Sequence, residues 1–425
     1  MSQTLITDGK VSPAGVVRIS GAKNSATRLL AASLISDEKV ILRNFPTMLL
    51  DAIHKKRFIE ESGGIVLFDD KEEMAIIDAS RLNNTEISNY DFPIRTTYLL
   101  AAPLLKRNGL AKIPYPGGCK IGARGYDLHI KVWEACGCNI KEKKNYIEIQ
   151  CKTLKPFKID FPISTIGGTE NALICASCIN GESYIRNAYI SPEVQDLIQF
   201  LIGLGSEISV SGNSFIKIKG TNNPGGITYS VIPDRIEAIT WIVLAAISKG
   251  NLLIKDVPFK SMRIPLIHLK EAGLNFFSNE NDVLINEYSF NRNFIEPFEL
   301  ACGTHPGIIS DMQPFYTLLA LKANGISRIY DYRYPERLNY LTELSKHCPN
   351  ALTWENGKIT VKGPVDFISA DTRSTDLRGS MALLMAALIS DGTSRVRDVQ
   401  MAFRGYNRLE AKLKEIGYNI SIIEE

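Results

Sequence analysis

The chain has 425 residues, of which 45% are hydrophobic and 22% charged, the proportions of an ordinary globular protein. This composition excludes a disordered, collagen-like or disulfide-scaffold chain, and the length suggests about two to four domains. With 49 basic and 46 acidic side chains, the net charge of +3 is too small for a protein dominated by nucleic-acid binding.

The N-terminal stretch, the apolar segments and the cysteines predict the compartment. Residues 1–10 carry neither an apolar core nor a small-residue cleavage site, so we expect no secretory signal there. The longest apolar stretches, such as Trp241–Ser248 and Ala382–Ile389, are far shorter than the roughly 20 residues of a membrane span. Cys136 and Cys138 are separated by one glycine, too close for a structural zinc site. We therefore expect a reduced cytoplasmic protein that holds no metal.

One pattern of elements recurs six times along the chain. Each copy has a short apolar helix, a polar turn, a strand, an amphipathic helix that ends near a glycine, and usually two short strands. Six such units are too many for one core and favour two lobes of three, with the apolar helices buried. The copies lie roughly 65 to 76 residues apart, with apolar helices that begin near Arg28, Thr97, Ala172, Trp241, Thr317 and Ala382.

The boundary between the lobes is predicted after the third copy, near the turn-forming residues 224–226 and 232–234. The early strand over residues 16–20 precedes the first complete unit, and we expect it to complete a sheet of the second lobe. The first domain is thus predicted over residues 23–232. The second is predicted over residues 1–22 and 233–425, with the active site in the cleft between the two domains.

Two segments at predicted turns carry unusual residues. Lys23 stands where a strand ends and the first helix opens, and there a lysine and the backbone N–H groups can bind an anion. A solvated lysine at a helix cap is the alternative. Cys119 follows a Pro-Gly-Gly tip and is close to Lys120 and Arg124, two cations that would lower the pKa of its thiol. An incidental cysteine in a flexible loop is the alternative for that segment.

Six arginines fall at predicted strand-to-helix turns rather than on exposed helix faces. Guanidinium groups suit carboxylate and phosphate oxygens, so the set indicates a small ligand with several negative charges. A structural ion pair is the alternative for any one of them. Asp311 precedes the fifth apolar helix, as either an N-cap or a base for a substrate hydroxyl. The six arginines are Arg95, Arg124, Arg235, Arg337, Arg378 and Arg404.

Seven segments together resemble the enolpyruvyl transferase family, over nearly the whole chain from Ser20 to Tyr406. The loop that carries Cys119 separates the chain from the family's shikimate-pathway branch, which lacks that loop. The segments are SGAKN (20–24), PGGCKIGARGYDLH (116–129), IGGTEN (166–171), PDRIEA (233–238), THPG (304–307) with SDMQP (310–314), TDLRGS (375–380) and RGY (404–406).

The resemblance implies a fold and a reaction. The implied fold is of the α/β (α+β) class, with two inverse α/β barrel domains that each contain three repeated βαβαββ-type units. The implied reaction transfers the enolpyruvyl group of phosphoenolpyruvate to the 3-hydroxyl of UDP-N-acetylglucosamine with release of phosphate, the first committed step of peptidoglycan synthesis. No cofactor and no metal are expected. The expected partners are these two small-molecule substrates, without nucleic acid or a membrane span, and the oligomeric state is left open.

The resemblance also implies roles for individual residues. Cys119 is the expected general acid, with a covalent bond to phosphoenolpyruvate left open, and Asp311 is the expected base on the sugar hydroxyl. The catalytic Lys23 is expected at the donor phosphate with Arg124 and Arg404, and Arg337 and Arg378 are expected at the donor carboxylate. The residues expected at the UDP-sugar are Asn24, Arg95, Arg124, Asp127, Leu128, Thr165, Ile166, Gly167, Asp311 and Arg333.

Several positions depart from the usual pattern of the family. Gly125 replaces a proline, residues 308–310 replace Phe-Pro-Thr, Glu336 replaces an asparagine, and Phe403 replaces an aspartate. These departures lie on the acceptor side or the hinge, while the donor residues are intact. Two alternatives therefore stay open. One is enolpyruvyl transfer to another uridine nucleotide in a secondary-metabolite pathway, and the other is a non-catalytic paralogue that binds a nucleotide sugar.

Overall fold

The computed structural model describes residues 2–86, 94–115, 117, 125–290, 292 and 294–424. Within them the chain divides into two compact units. The first unit comprises the described residues between Gly21 and Ile232, and the second comprises residues 2–20 and 233–424. Each unit has its own hydrophobic core. The predicted α/β class is confirmed, since helices and several sheets alternate along the chain.

The helices of the described residues alternate between buried and amphipathic types. Every residue of α7 from Arg235 to Ile247 is buried, whereas α2 buries Phe58 and Ile59 but exposes Arg57 and Glu60. The helices are α1 (Lys23–Ala32), α2 (Leu50–Glu61), α3 (Ala101–Asn108), α4 (Asp127–Ala135), α5 (Ile166–Ser177), α6 (Pro192–Gly203), α7 (Arg235–Ser248), α8 (Arg263–Glu271), α9 (Gln313–Leu321), α10 (Tyr340–Leu344), α11 (Leu377–Ile389), α12 (Gln400–Phe403) and α13 (Leu409–Glu415).

The strands are short, and most alternate buried and exposed side chains because one face of each sheet covers a core. They are β1 (Gln3–Gly9), β2 (Ala14–Arg18), β3 (Val40–Arg43), β4 (Ile65–Asp69), β5 (Met74–Asp78), β6 (Leu110–Pro114), β7 (Asn139–Glu142), β8 (Tyr146–Gln150), β9 (Lys158–Thr165), β10 (Glu182–Ala188), β11 (Glu207–Ser211), β12 (Phe215–Lys219), β13 (Ile227–Ser230), β14 (Asn251–Lys255), β15 (Phe277–Ser278), β16 (Val283–Ile285), β17 (Glu299–Cys302), β18 (Ile326–Asp331), β19 (Leu352–Glu355), β20 (Lys358–Lys362), β21 (Asp371–Arg373), β22 (Asp391–Arg397) and β23 (Ile420–Glu424).

Five of the sheets share one strand order. A central strand has a parallel neighbour on one side and two successive antiparallel strands on the other. The sheet β6-β8-β7 has the antiparallel part of this pattern, and a parallel bridge from Glu86 to Lys112 marks the remaining side. The pattern agrees with the six copies predicted from the sequence. The other orders are β13-β3-β5-β4 and β9-β10-β12-β11 in the first unit, and β2-β14-β16-β15, β17-β18-β20-β19 and β21-β22-β1-β23 in the second.

The N-terminal strands belong to the second unit. β2 runs parallel to β14, with Gly15 opposite Leu252, and β1 lies between β22 and β23. The early strand β2 is thus part of a sheet of the second unit. The chain enters the first unit after Ser20 and returns to the second at Pro233.

Candidate active site

Lys23, the first residue of α1, forms an ion pair with a carboxylate of α2. A Cβ on Gly21 would lie 1.8 Å from the carbonyl oxygen of Asn44, so only glycine fits where the chain turns into the helix. Lys23 Nζ lies 3.0 Å from Oδ2 of Asp51, a buried carboxylate in the first turn of α2. The alternative of a solvated lysine is therefore wrong. Asp51 was not among the residues predicted from the sequence, although an acidic residue that opens a helix is visible there.

A buried charge network lies next to Asn24, the second residue of α1. Arg28 Nε lies 2.9 Å from Oε1 of Glu170, and Arg28 Nη1 donates to Oδ1 of Asn24 at 3.4 Å. Lys55 is completely buried and donates to the carbonyl oxygens of Thr27 and Thr96. Burial, together with repulsion from Arg28, holds the pKa of Lys55 well below its usual range. These partners were not predicted, because each belongs to a different sequence segment.

The residues predicted at the acceptor nucleotide begin short helices of the first unit. Arg95 opens a 3-10 turn over Arg95–Leu100 and donates from Nη2 to the carbonyl oxygen of Gly125 at 3.1 Å. Asp127 and Leu128 are the first two residues of α4. Thr165 caps α5 by accepting the N–H of Gly168 at 3.3 Å. The N–H groups of the first turn of a helix are suited to phosphate oxygens.

Two stacked rings bring the starts of α4 and α5 together. The ring centroids of Tyr98 and His129 are 3.6 Å apart. A Cβ on Gly167 would lie 2.8 Å from Tyr98 Oη and 3.0 Å from His129 Cε1, so the first turn of α5 packs directly on both rings. Burial, and to a smaller extent Arg95, lowers the pKa of His129 to about 3. His129 is therefore neutral at physiological pH.

In the second unit two guanidinium groups converge on one carboxylate. Arg337 Nη2 lies 2.7 Å from Oδ1 of Asp311, and Arg378 Nε lies 3.3 Å from Oδ2. Both arginines are at least 95% buried, while Asp311 keeps 28% of its side chain exposed. Arg378 also lies over the ring of Tyr406, 5.4 Å from its centroid. The pair can evidently bind a carboxylate, because it binds this one.

The N-cap alternative for Asp311 is wrong. Asp311 lies inside a 3-10 turn over Ser310–Met312, and the residue that precedes α9 is Met312, without a side-chain cap. Its neighbour Ser310 accepts a hydrogen bond from Arg337 Nη1 at 3.0 Å and donates to Oδ2 of Asp331. The buried Asp331 was not predicted from the sequence either, since a single acidic residue at the end of a strand is common.

The remaining predicted arginines occupy three kinds of position. Arg404 directly follows the short helix α12, so its prediction at a strand-to-helix turn is wrong. Arg333 is exposed after β18, 5.8 Å above the ring of Tyr334. Arg235 is the first residue of α7 and is 4% exposed. Cys119, Lys120 and Arg124 lie outside the described residues.

For the described residues, the structure gives one finding on metal ligands and one on membrane-spanning helices. Among them, no three His, Cys, Asp or Glu side chains come together as a metal site would require. In the same parts of the chain, no helix combines the length and the apolar character needed to cross a membrane.

Comparison with known proteins identifies relatives over the full length. The EPSP synthase (3-phosphoshikimate 1-carboxyvinyltransferase) family matches residues 8–413. The chain is 34% identical to the UDP-N-acetylglucosamine 1-carboxyvinyltransferase of Finegoldia magna over 418 residues, 96% of each chain. It is 32% identical to the protein of the same name from Pelagibacter ubique over 410 residues, 96% of this chain and 97% of the relative.

Solved structures of enolpyruvyl transferases have the same fold. The enolpyruvyl transferase NikO from Streptomyces tendae superposes with a TM-score of 0.87 at 23% identity and covers 99% of both chains. An EPSP synthase from Acinetobacter baumannii superposes with a TM-score of 0.72 at 15% identity over the whole of both chains.

Proposed function

Because this chain belongs to the EPSP synthase family, we propose that it transfers the enolpyruvyl group of phosphoenolpyruvate to the 3-hydroxyl of UDP-N-acetylglucosamine and releases phosphate. The choice of acceptor is supported by relatives at 31–34% identity over nearly their whole length, all named UDP-N-acetylglucosamine 1-carboxyvinyltransferase. The reaction would be a cytoplasmic one and the first committed step of peptidoglycan synthesis.

The observation that carries the proposal is the pair of buried guanidiniums around Asp311. Arg337 and Arg378 already hold a carboxylate at 2.7 and 3.3 Å, so they offer the geometry that the donor carboxylate requires. The donor phosphate would be bound by Lys23, Arg124 and Arg404. Lys23 begins α1, so its ammonium is supplemented by the N–H groups of the first helical turn.

The acceptor is proposed to bind along the starts of α4 and α5. Ile166 and Gly167 would offer backbone N–H groups to the diphosphate, and Asp127 and Leu128 would contact the uracil. Arg95 and Asn24 lie in the same unit and would contact the rest of the UDP-sugar. On the other side, Arg333 and Asp311 would contact the sugar.

The proposed mechanism needs an acid, a base and a cationic surround. Cys119 would add a proton to the methylene carbon of phosphoenolpyruvate, which leaves cationic character on the neighbouring carbon. The sugar hydroxyl would attack that carbon while Asp311 takes its proton. Loss of phosphate and of one methyl proton from the tetrahedral adduct would then give the enol ether. Lys23 and the arginines would stabilise the negative charge on the departing phosphate.

We also propose the finer architecture implied by the family. Each unit would be one inverse α/β barrel of three βαβαββ-type repeats. The support is the recurrent strand order, which is complete in three sheets of the second unit and in two of the first, with its antiparallel part in the sheet β6-β8-β7. The proposed reaction assigns Lys23 of the first unit to the donor phosphate and Asp311 of the second unit to the acceptor hydroxyl.

The turn that precedes Arg337 supports a second candidate for the acceptor substrate. Arg333 and Tyr334 lie there with Glu336, where the family usually has an asparagine before the arginine. Arg333 is exposed and would add a positive charge on the proposed acceptor side. Another uridine nucleotide is therefore the competing substrate.

A phosphate-release assay tests the proposal. The purified protein is incubated with phosphoenolpyruvate and a panel of uridine nucleotides, with and without N-acetylglucosamine. We expect release with UDP-N-acetylglucosamine and none without an acceptor. Release with a different uridine nucleotide alone would favour the competing acceptor, and binding of the nucleotide sugar without any turnover would favour a non-catalytic paralogue.

A further inference from the structure

One buried carboxylate of the second unit is connected both to Arg337, the proposed donor-binding arginine, and to the turn at Arg333 on the proposed acceptor side. Asp331 ends β18 and is completely buried. Its Oδ1 accepts the backbone N–H groups of Arg333 at 3.2 Å and Tyr334 at 3.1 Å, which fixes the turn after the strand. Its Oδ2 accepts the hydroxyl proton of Ser310. Both oxygens of this carboxylate are therefore used.

The hydroxyl of Ser310 connects Asp331 to the guanidinium of Arg337. Because its proton points to Asp331, its lone pairs are directed elsewhere, and one of them accepts from Arg337 Nη1 at 3.0 Å. The same guanidinium reaches Asp311 through Nη2. Arginine has many rotamers, and a group held at one end by a buried, charge-assisted hydrogen bond is already oriented before a ligand arrives.

We propose that Asp331 is a positioning residue that acts on Arg337 through Ser310 and on Arg333 through the turn. This one buried carboxylate would thereby orient the Arg337 guanidinium, which is proposed to bind the donor carboxylate. It would also orient the turn on the acceptor side. The inference rests on the proposed function, in which Arg337 binds phosphoenolpyruvate. Nothing in this role requires Asp331 itself to contact a substrate.

Kinetics of Ser310 variants test the path from Asp331 to Arg337. Ser310→Ala removes the hydroxyl, and we expect the KM for phosphoenolpyruvate to rise about tenfold or more, the usual effect of a lost charge-assisted hydrogen bond. The KM for the UDP-sugar should change much less, because the turn keeps its bonds to Asp331. Ser310→Thr restores the hydroxyl and should restore the KM.

Two further variants complete the kinetic test. Asp331→Asn keeps an acceptor for the turn but has no second oxygen for the serine proton, so it should resemble Ser310→Ala. The control is Ser327→Ala, which alters another buried serine, on β18, whose hydroxyl accepts the backbone N–H of Phe298 at 3.1 Å. It should lower stability without changing the KM for phosphoenolpyruvate. An unchanged KM in Ser310→Ala would overturn the proposal.

A measurement without substrate separates this proposal from the proposed function. Urea unfolding is followed for Asp331→Asn, Arg337→Lys and the double variant, first with Ser310 and then in the Ser310→Ala background. We expect non-additive stability changes with Ser310 present and additive changes without it. Absence of turnover in the unaltered protein would show that the proposed function is wrong. Additivity in both backgrounds would overturn the positioning role of Asp331, whatever the turnover assay shows.

Discussion

At the scale of single residues, the proposed chemistry depends on the contrast between Asp311 and its two arginines. A carboxylate held by Arg337 and Arg378 is well placed to exchange partners with a substrate carboxylate. Its partial exposure leaves room for a hydroxyl to approach, while the arginines are buried and fixed. The sequence predicted all three residues from their motifs. It did not predict Ser310 and Asp331 behind them, because their link depends on the fold.

Asp311→Asn tests the base. Asparagine has the same size but accepts no proton, so we expect both substrates to bind while kcat falls about 100-fold or more. Binding is measured by calorimetry and kcat by phosphate release. Asp256→Asn is the matched control, since Asp256 pairs with Arg18 on the surface of the same unit, and it should keep full activity. A normal kcat in Asp311→Asn would remove Asp311 from the mechanism.

Cys119→Ala tests the acid. Alanine cannot donate a proton, so turnover should be abolished while the UDP-sugar still binds. Cys138→Ala changes a half-buried cysteine of the first unit, whose thiol lies near those of Cys136 and Cys151, and it should leave turnover intact. If Cys119→Ala turns over at the normal rate, the thiol has no part in the reaction.

At the scale of elements, the first turn of α5 depends on a glycine. Alanine at position 167 would place a Cβ 2.8 Å from Tyr98 Oη, inside van der Waals contact. Gly167→Ala should therefore displace the helix start and raise the KM for the UDP-sugar more than that for phosphoenolpyruvate. Gly225→Ala, where a Cβ would meet open space, should change neither. Equal KM values for the UDP-sugar in the two variants would contradict the assignment of this turn to the acceptor.

Packing of α4 against α5 should make stability depend on pH. The folded pKa of His129 is about 3, below the value of about 6.5 in an unfolded chain, so protonation favours unfolding. The contribution of neutral His129 is complete above about pH 6.5 and decreases below it by up to about 1.4 kcal/mol per pH unit. His129→Gln should therefore lose less stability than the parent between pH 7 and 5 in urea unfolding. Parallel losses would show that His129 does not carry this dependence.

Elements were easier to predict than contacts. The six apolar helices and the strand crossing to the second unit follow from local periodicity and turn residues, which are written in contiguous sequence. Arg28, Glu170 and Lys55 form one buried network from three distant segments, so no local pattern indicates it. The position of Arg404 at a strand-to-helix turn was predicted wrongly for a related reason. The four-residue helix α12 is too short to leave a periodic signal.

At the scale of the whole molecule, the repeated sheets divide the predicted machinery between two units. Lys23, Asn24, Arg95 and residues 127–128 and 165–167 belong to the first unit, whereas Asp311, Arg333, Arg337, Arg378 and Arg404 belong to the second. The proposed reaction therefore uses residues of both units. The family pattern is intact at the residues expected to bind the donor, whereas the departures from it fall at positions expected on the acceptor side or the hinge.

The central claim is tested most directly by proton NMR of the product formed from phosphoenolpyruvate and UDP-N-acetylglucosamine in D2O. The account predicts an enol ether at the 3-oxygen of the sugar, with deuterium in its methylene group, because the methylene carbon gains a solvent-derived hydrogen before it loses one. Phosphate should appear in equal amount. An unmodified sugar nucleotide, or an enol ether that never contains deuterium, would contradict the account.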